Sequence, residues 1–375
     1  MAKILYSICG IGLGHATRAV EIISELQKDN ELLICSYGKA LNVLKKRCRN
    51  AAELKWFKLI FENGSYAKSK TFLYNIPVAP KIMAKNFLVL LKAIRKFQPD
   101  FVVSDFEVSA LYLAEFLNIP NVTISNMHIM KELNTLLPIK DSLVYYLTEL
   151  PILEVFTTDK YYITYFFKPK KPKMKNAKFF YPIIRKEVRR LKPKTGDYFL
   201  VYLGLDDLPK FEKLFRIFKY EKFIFYTNKK VKIKEKNVVV KKISDEFAKD
   251  LANSKGIICH GGYSLLSEAA IMKKPAFVVT DNSFFERYFN GLSYERLGFG
   301  ILSKKMDAEK FQEFLDSEKK FRKNLKKANI KDESKRLIKS LRREISRAEK
   351  RKKKSLHAKI VKALQTKFAK FSTKG

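Results

Sequence analysis

The sequence predicts two α/β domains, each built on a doubly wound parallel sheet, followed by a basic helical tail. Three observations carry this expectation. The chain opens strand, glycine loop, helix, strand. A second strand, glycine turn and helix follow one another around Cys259, and between the two a fresh apolar strand begins at Tyr198, after a stretch where Pro and charge rise. At 375 residues, with 46% hydrophobic and 13% aromatic content, the chain can fill two cores and is not a disordered polymer. The expected units are residues 1–180, a connection over 181–196, a second domain over 197–317 and the tail over 318–375.

Lys3-Ile4-Leu5-Tyr6-Ser7-Ile8 reads as a buried central strand because its apolar run is nearly unbroken. Cys9-Gly10-Ile11-Gly12-Leu13-Gly14-His15 is a glycine loop, Ala16 to Lys28 an amphipathic helix, and Glu31 to Ser36 the second strand. A dinucleotide site is disfavoured on two counts. The spacing is G-x-G-x-G, and Ser36-Tyr37-Gly38 stands where an acid should end the second strand. Phe101 to Glu107 is a strand ending in two carboxylates, Ala110 to Leu117 a helix, and Pro120 to Asn126 a strand with His128 just beyond it. Residues past strand ends line the crevice of such sheets, so His15, Asp105 and His128 are candidate site residues. An imidazole at His15 is a workable base, the alternative being a helix cap. Asp105 is either a rival base, the group that orients His15, or a cap, and His128 is an acceptor-side contact or a structural histidine.

The stretch 138–195 has no clear periodicity, although aromatics and lysines crowd Tyr161 to Lys178. In the second domain, strands are expected at Tyr198–Gly204, Phe223–Tyr226 and Val238–Val240, with a helix from Leu208. Gly256-Ile257-Ile258-Cys259 is a further buried strand; His260-Gly261-Gly262 turns the chain, and Ser264 begins a helix. The exposed N–H groups and positive dipole end of such a helix hold a phosphate without side-chain help. Glu268, one turn in, is spaced to reach sugar hydroxyls beside that phosphate, or is an ordinary first-turn glutamate. Lys274-Pro275 leads the next strand, and Phe285-Glu286-Arg287, Asn290 and Leu297-Gly298-Phe299-Gly300 complete the order.

This order resembles the nucleotide-sugar site of GT-B glycosyltransferases, whose C-terminal domains carry a Gly-Gly-x-x-S/T-x-x-E segment, a K-P strand and an F-E-Q…N…L-G-x-G run. The N-terminal order, GxGxGHxxR through S-D-F-E to S-x-N-x-H, resembles one branch of these enzymes found widely in archaea and bacteria. It is more distantly similar to bacterial N-acetylglucosaminyltransferases acting on a lipid-linked precursor. The resemblance spans most of residues 1–302. It implies the GT-B fold and a UDP-sugar donor, with diphosphate at Gly14, His260, Gly261, Gly262 and Ser264, ribose on Glu268, and the base read by backbone near Ile243. Donor-sugar contacts fall to Glu286 and Arg287; the family usually has Gln at the latter position, and an Arg there favours an acidic sugar. The expected activity is inverting transfer of a hexose-type sugar to a hydroxyl acceptor, a lipid-linked one among the options. A UDP-sugar epimerase of the same fold is the alternative. No D-x-D motif stands at a strand end, and Asp206-Asp207 reads as a solvated turn, so neither metal nor cofactor is expected.

The formal charge is +38, and residues 318–375 hold 23 Lys/Arg against 5 Asp/Glu. Such charge attracts the phosphates of lipids, lipid-linked acceptors or nucleic acid. No nucleic-acid-binding motif spacing is present, which disfavours that partner. In the tail, the stripe Leu337, Ile338, Leu341 and Ile345 favours packing of 318–345 on the N-terminal domain or a partner. Over 350–375 a basic amphipathic helix, with Leu356, Ile360, Leu364 and Phe368 as its stripe, fits an anionic membrane surface or another polyanion, the alternative being a packed or solvated helix. Cys9, Cys35, Cys48 and Cys259 lack CxxC spacing, and Met1-Ala2-Lys3 leads straight into a strand. A reduced cytoplasmic protein, peripheral on the inner membrane face, is therefore expected.

Overall fold

The computed structural model describes residues 1–11, 14–58, 60–62, 65–134, 137–203, 208–280 and 284–352. Gly12, Asp206-Asp207 and the expected membrane helix beyond residue 352 lie outside them. The first unit runs β1 (Lys3–Ile8), α1 (Gly14–Leu26), β2 (Glu31–Ser36), α2 (Gly38–Lys45) and β3 (Ala51–Glu53). A hairpin of β4 (Phe61–Glu62) and β5 (Ser65–Tyr66) precedes α3 (Lys68–Asn75), α4 (Ala79–Phe97), β6 (Phe101–Asp105), α5 (Ser109–Phe116) and β7 (Asn121–Ser125). Then come α6 (Ile129–Leu133), α7 (Ile139–Val144), a π-helical turn (Tyr145–Glu149), α8 (Leu150–Glu154), β8 (Lys160–Thr164) and β9 (Ala177–Phe180). The strands form a parallel sheet of order β3-β2-β1-β6-β7-β8-β9.

After α9 (Lys186–Arg189), the second unit runs β10 (Tyr198–Tyr202), α10 (Leu208–Ile217), β11 (Lys222–Tyr226), β12 (Val238–Lys241), α11 (Glu246–Asn253) and β13 (Gly256–Cys259). It continues with α12 (Tyr263–Ile271), β14 (Ala276–Val279), α13 (Phe285–Arg296), β15 (Gly300–Ser303) and α14 (Ala308–Ala328). These strands make a second parallel sheet, β12-β11-β10-β13-β14-β15. A last helix, α15, covers 334–352. In both sheets the chain reverses its winding beside the first strand, which opens a crevice at the carboxyl ends of the central strands.

The composition change at residue 318 is not a structural boundary. Glu318 lies inside α14, whose Phe311, Phe314 and Phe321 belong to the core of the second sheet. α15 instead returns to the first domain: Leu337, Ile338, Leu341 and Ile345 are buried with Ile4, Leu26, Phe101 and Tyr162. Lys160 and Lys178 grip its Glu344 at 2.6 and 3.3 Å. An apolar cluster also spans both domains, and Tyr165 stacks on Tyr263 at 5.8 Å. Among the described residues no helix is long and apolar enough to cross a membrane. The four cysteines are unpaired, and Cys9, Cys35 and Cys259 are buried.

Candidate active site

Parallel register sets the first half of the site. Ile8 pairs with Asp105, so the glycine loop after β1 and the carboxylate ending β6 leave the sheet side by side. His15, in the first turn of α1, brings Nδ1 to 2.7 Å from Asp105 Oδ1. Arg18, one helical turn on, donates through Nε to Asp105 Oδ2 at 2.7 Å and through Nη1 to Asn126 Oδ1 at 3.0 Å. Burial would raise the Asp105 carboxyl, but the charge and hydrogen bonds of Arg18, with those of His15, outweigh it and hold the group below its ordinary range. Nδ1 of His15 thus lies between Asp105 Oδ1 and Arg18 Nη2, at 2.7 and 2.9 Å; in the tautomer that donates to the carboxylate, Nε2 carries the lone pair.

The second carboxylate, Glu107, points elsewhere. It accepts from Ser7 Oγ at 2.6 Å and from the N–H groups of Ser109 and Ala110 at 3.0 and 3.1 Å, capping α5. Phe106 between them has φ +54°, a left-handed backbone rare for an aromatic residue. That kink turns the two carboxylates apart and lays the Phe106 ring against His15, centroids 5.9 Å apart.

His128 does not face an acceptor. It is fully buried, its Nδ1 lies 2.8 Å from Ser125 Oγ, and Phe156 and Tyr161 enclose its ring. Burial, with the charge of Lys131 adding, pushes it down to about 3, so it is a neutral core histidine.

The second half is the turn from β13 into α12. His260 Nδ1 donates to the Val279 carbonyl at 2.8 Å. Gly261 has φ +79°, and a β-carbon there would lie 2.4 Å from the Arg287 carbonyl. Gly262 differs: its φ is an ordinary −62°, and a β-carbon would meet nothing within 4 Å. It caps α12, which starts at Tyr263, one residue earlier than expected, with Ser264 in its first turn. The two halves meet here, since a β-carbon on Gly14 would sit 2.9 Å from Ser264 Oγ.

Glu268 is buried and already engaged. Arg185, from the connection between the domains, donates through Nε and Nη2 to its two oxygens at 2.6 and 2.7 Å. Glu286 Oε1 accepts from Asn126 Nδ2 at 2.8 Å, so a chain of bonds runs from Arg18 across the crevice to α13. The Arg287 guanidinium lies over the Phe284 ring, 4.8 Å away. Asn290 Nδ2 donates to the Gly261 carbonyl at 3.0 Å and its Oδ1 accepts from Tyr165 at 2.9 Å, tying the turn to both domains. Ile243 stays exposed beyond β12, its N–H donating to Asn228 Oδ1 at 3.2 Å.

Sequence reasoning gave no role to Arg18, Phe106, Asn126 or Arg185, although the first three stand inside the motifs GxGxGHxxR and S-D-F-E and the N-x-H run. The i, i+3 spacing of His15 and Arg18 is a usable signal, because it puts both on one face of α1. Arg185 had none, since its partner lies 83 residues away.

The model of a family described as glycosyl transferase family 1 matches residues 2–318. A protein of Methanosarcina acetivorans described as an uncharacterized glycosyltransferase is 26% identical over 325 residues, covering 80% of this chain and 84% of that one. A Methanosarcina mazei protein of the same description is 27% identical over 330 residues, with the same coverage. Among solved structures, the calicheamicin glycosyltransferase CalG4 aligns with a TM-score of 0.68 at 14% identity, over 92% of this chain and 99% of that one. UGT2 of Phytolacca americana, complexed with UDP-2-fluoro-glucose and pterostilbene, gives 0.63 at 12% identity over 92% and 100%. The structural likenesses speak for the fold, and the family match for the chemistry: this chain belongs to glycosyl transferase family 1 and is a glycosyltransferase of GT-B architecture.

Proposed function

We propose that the chain moves a hexose-type sugar from a UDP-sugar to an acceptor hydroxyl, a lipid-linked one among the candidates, with inversion and without a metal ion. One observation carries this reading: the loop bearing His15 abuts the N-terminus of α12 at Gly14 and Ser264, so a base and an anion-binding helix end share one crevice. Gly262 supports it, because neither its backbone angle nor its packing requires a glycine, whereas a phosphate drawn close to its N–H does.

In this mechanism Nε2 of His15 takes the proton of the acceptor hydroxyl as its oxygen attacks the anomeric carbon. The bond from that carbon to the diphosphate oxygen breaks on the opposite face. Negative charge gathering on the diphosphate meets the free N–H groups of α12 and the side chain of His260. Asp105 keeps the imidazole in its working tautomer and stabilises the imidazolium. Glu268 receives the ribose hydroxyls on the lone pairs that Arg185 leaves, Glu286 and Arg287 lie against the donor sugar, and backbone near Ile243 reads the base.

Calorimetric titration with UDP tests the donor half. Glu268→Ala should weaken binding at least tenfold with the fold intact. Unchanged affinity would remove the ribose assignment.

A further inference from the structure

Where the chain passes from the first domain to the second, its neighbours change side within one residue. Ile183 is buried with Ile4, Leu26 and Tyr162 of the first domain. Ile184 and Val188 are buried instead with Ala248, Ala252 and Met272 of the second. The return crossing runs alongside: Asp332 accepts from the Ile184 N–H at 3.2 Å and pairs with Arg189 at 2.8 Å. α9 is thus a strut seated on both crossings, and it also grips α1. Glu21 Oε1 accepts from the Lys186 N–H at 3.0 Å, and Glu21 Oε2 from Arg189 at 3.1 Å.

Arg185 stands between these anchors. They fix its backbone, so its guanidinium reaches Glu268 from one direction. Among the described residues it is the one side chain bonded to that carboxylate. Glu268 is only 5% exposed, and an unpaired charge at such a place is strongly unfavourable. A carboxylate has about four lone-pair sites, and a fork that bonds both oxygens takes one on each. One acceptor then stays open on each oxygen, the two side by side in a plane that the guanidinium holds. Two adjacent acceptors complement a vicinal diol, whose neighbouring hydroxyls both donate. A phosphate, which only accepts, has no place there.

We propose that Arg185 is a positioning residue of the donor site: it holds the Glu268 carboxylate in the plane where its open lone pairs accept the 2′- and 3′-hydroxyls of the donor ribose. The inference rests on the ribose reading of Glu268 and deepens it by naming what makes that carboxylate selective for a diol. Arg185 is steadied by α9, and α9 by Glu21, which lies one turn beyond Arg18 on α1. The ribose pocket and the helix bearing His15 therefore share one support.

The test is calorimetric titration of the full chain with UDP and with 2′-deoxy-UDP. The parent should favour UDP by about tenfold or more, the worth of one hydrogen bond to a charged group. In Arg185→Gln that preference should fall below about threefold, whereas a merely structural loss would weaken both nucleotides alike. In a Glu268→Gln background, Arg185→Gln should change UDP affinity by less than about twofold, since its action passes through Glu268. Should Arg185→Gln not fold, Arg185→Lys carries the same comparison, because an ammonium keeps the charge but cannot hold both oxygens. The inference alone is overturned if the variant keeps the parent's preference, or if the loss is equal in both backgrounds. Tighter UDP binding by Arg185→Gln also overturns it, making Arg185 a competitor for Glu268. A parent that binds the two nucleotides alike sinks the ribose reading, and this inference with it.

Discussion

A carboxylate locked between an arginine and a histidine is poorly placed to collect a proton, and Asp105 is such a carboxylate. In the proposed mechanism the role of base therefore falls to His15. His15→Ala should lower turnover about 10²- to 10⁴-fold while leaving UDP affinity within a factor of two. Steady-state kinetics beside calorimetry would show it, and retained turnover would move the base role to Asp105. His128 makes a different prediction. Its folded value of about 3 lies below the ordinary 6.5, so its contribution to stability is complete above pH 6.5 and is lost as pH falls toward 3. The unfolding free energy should decline across that window by up to about 1.4 kcal/mol per pH unit, and His128→Asn should flatten the decline. Identical acid profiles for the two proteins would assign the sensitivity to other groups. Single side chains also mark the limits of reading a sequence. The strand-end rule located His15 and Asp105, but the same rule placed His128 on the acceptor side, since strand position does not tell which way a ring turns.

At the scale of elements, the two glycines ahead of α12 separate folding from binding. Gly261→Ala puts a β-carbon into the Arg287 carbonyl and an alanine at φ +79°, and should cost about 1–3 kcal/mol of stability. Gly262→Ala meets no atom and no strain, so the thermal midpoint should hold while UDP affinity falls about tenfold or more. Full UDP binding by Gly262→Ala would mean that no ligand approaches the turn. Elements differed in how openly the sequence announced them. β1, β2 and β13 coincide with the expected strands because strands covered on both faces are continuous apolar runs. The 138–195 stretch hid α7, the π-turn and α8, because these helices carry apolar residues outside as well as inside. Ile139 and Leu143 are exposed while Tyr145 and Leu153 are buried, and no stripe survives such mixing.

Across the whole molecule, α15 closes the first domain with residues from the far end of the chain. Leu341 is fully buried there, so Leu341→Ala should cost about 2–5 kcal/mol in denaturant unfolding, where an appendage would cost nothing. The sequence by itself determined two parallel-sheet domains, the glycine turns and the strand-end positions of the candidate base, since each follows from local periodicity and backbone freedom. Only the tertiary structure decided which charges meet. Arg18 reaches Asp105 across 87 residues, Arg185 reaches Glu268 across 83, and Asn126 reaches Glu286 across 160. Sheet order and domain apposition make those pairs, and neither leaves a periodic mark in the chain, because a contact between distant segments constrains their positions in space and not their spacing in sequence.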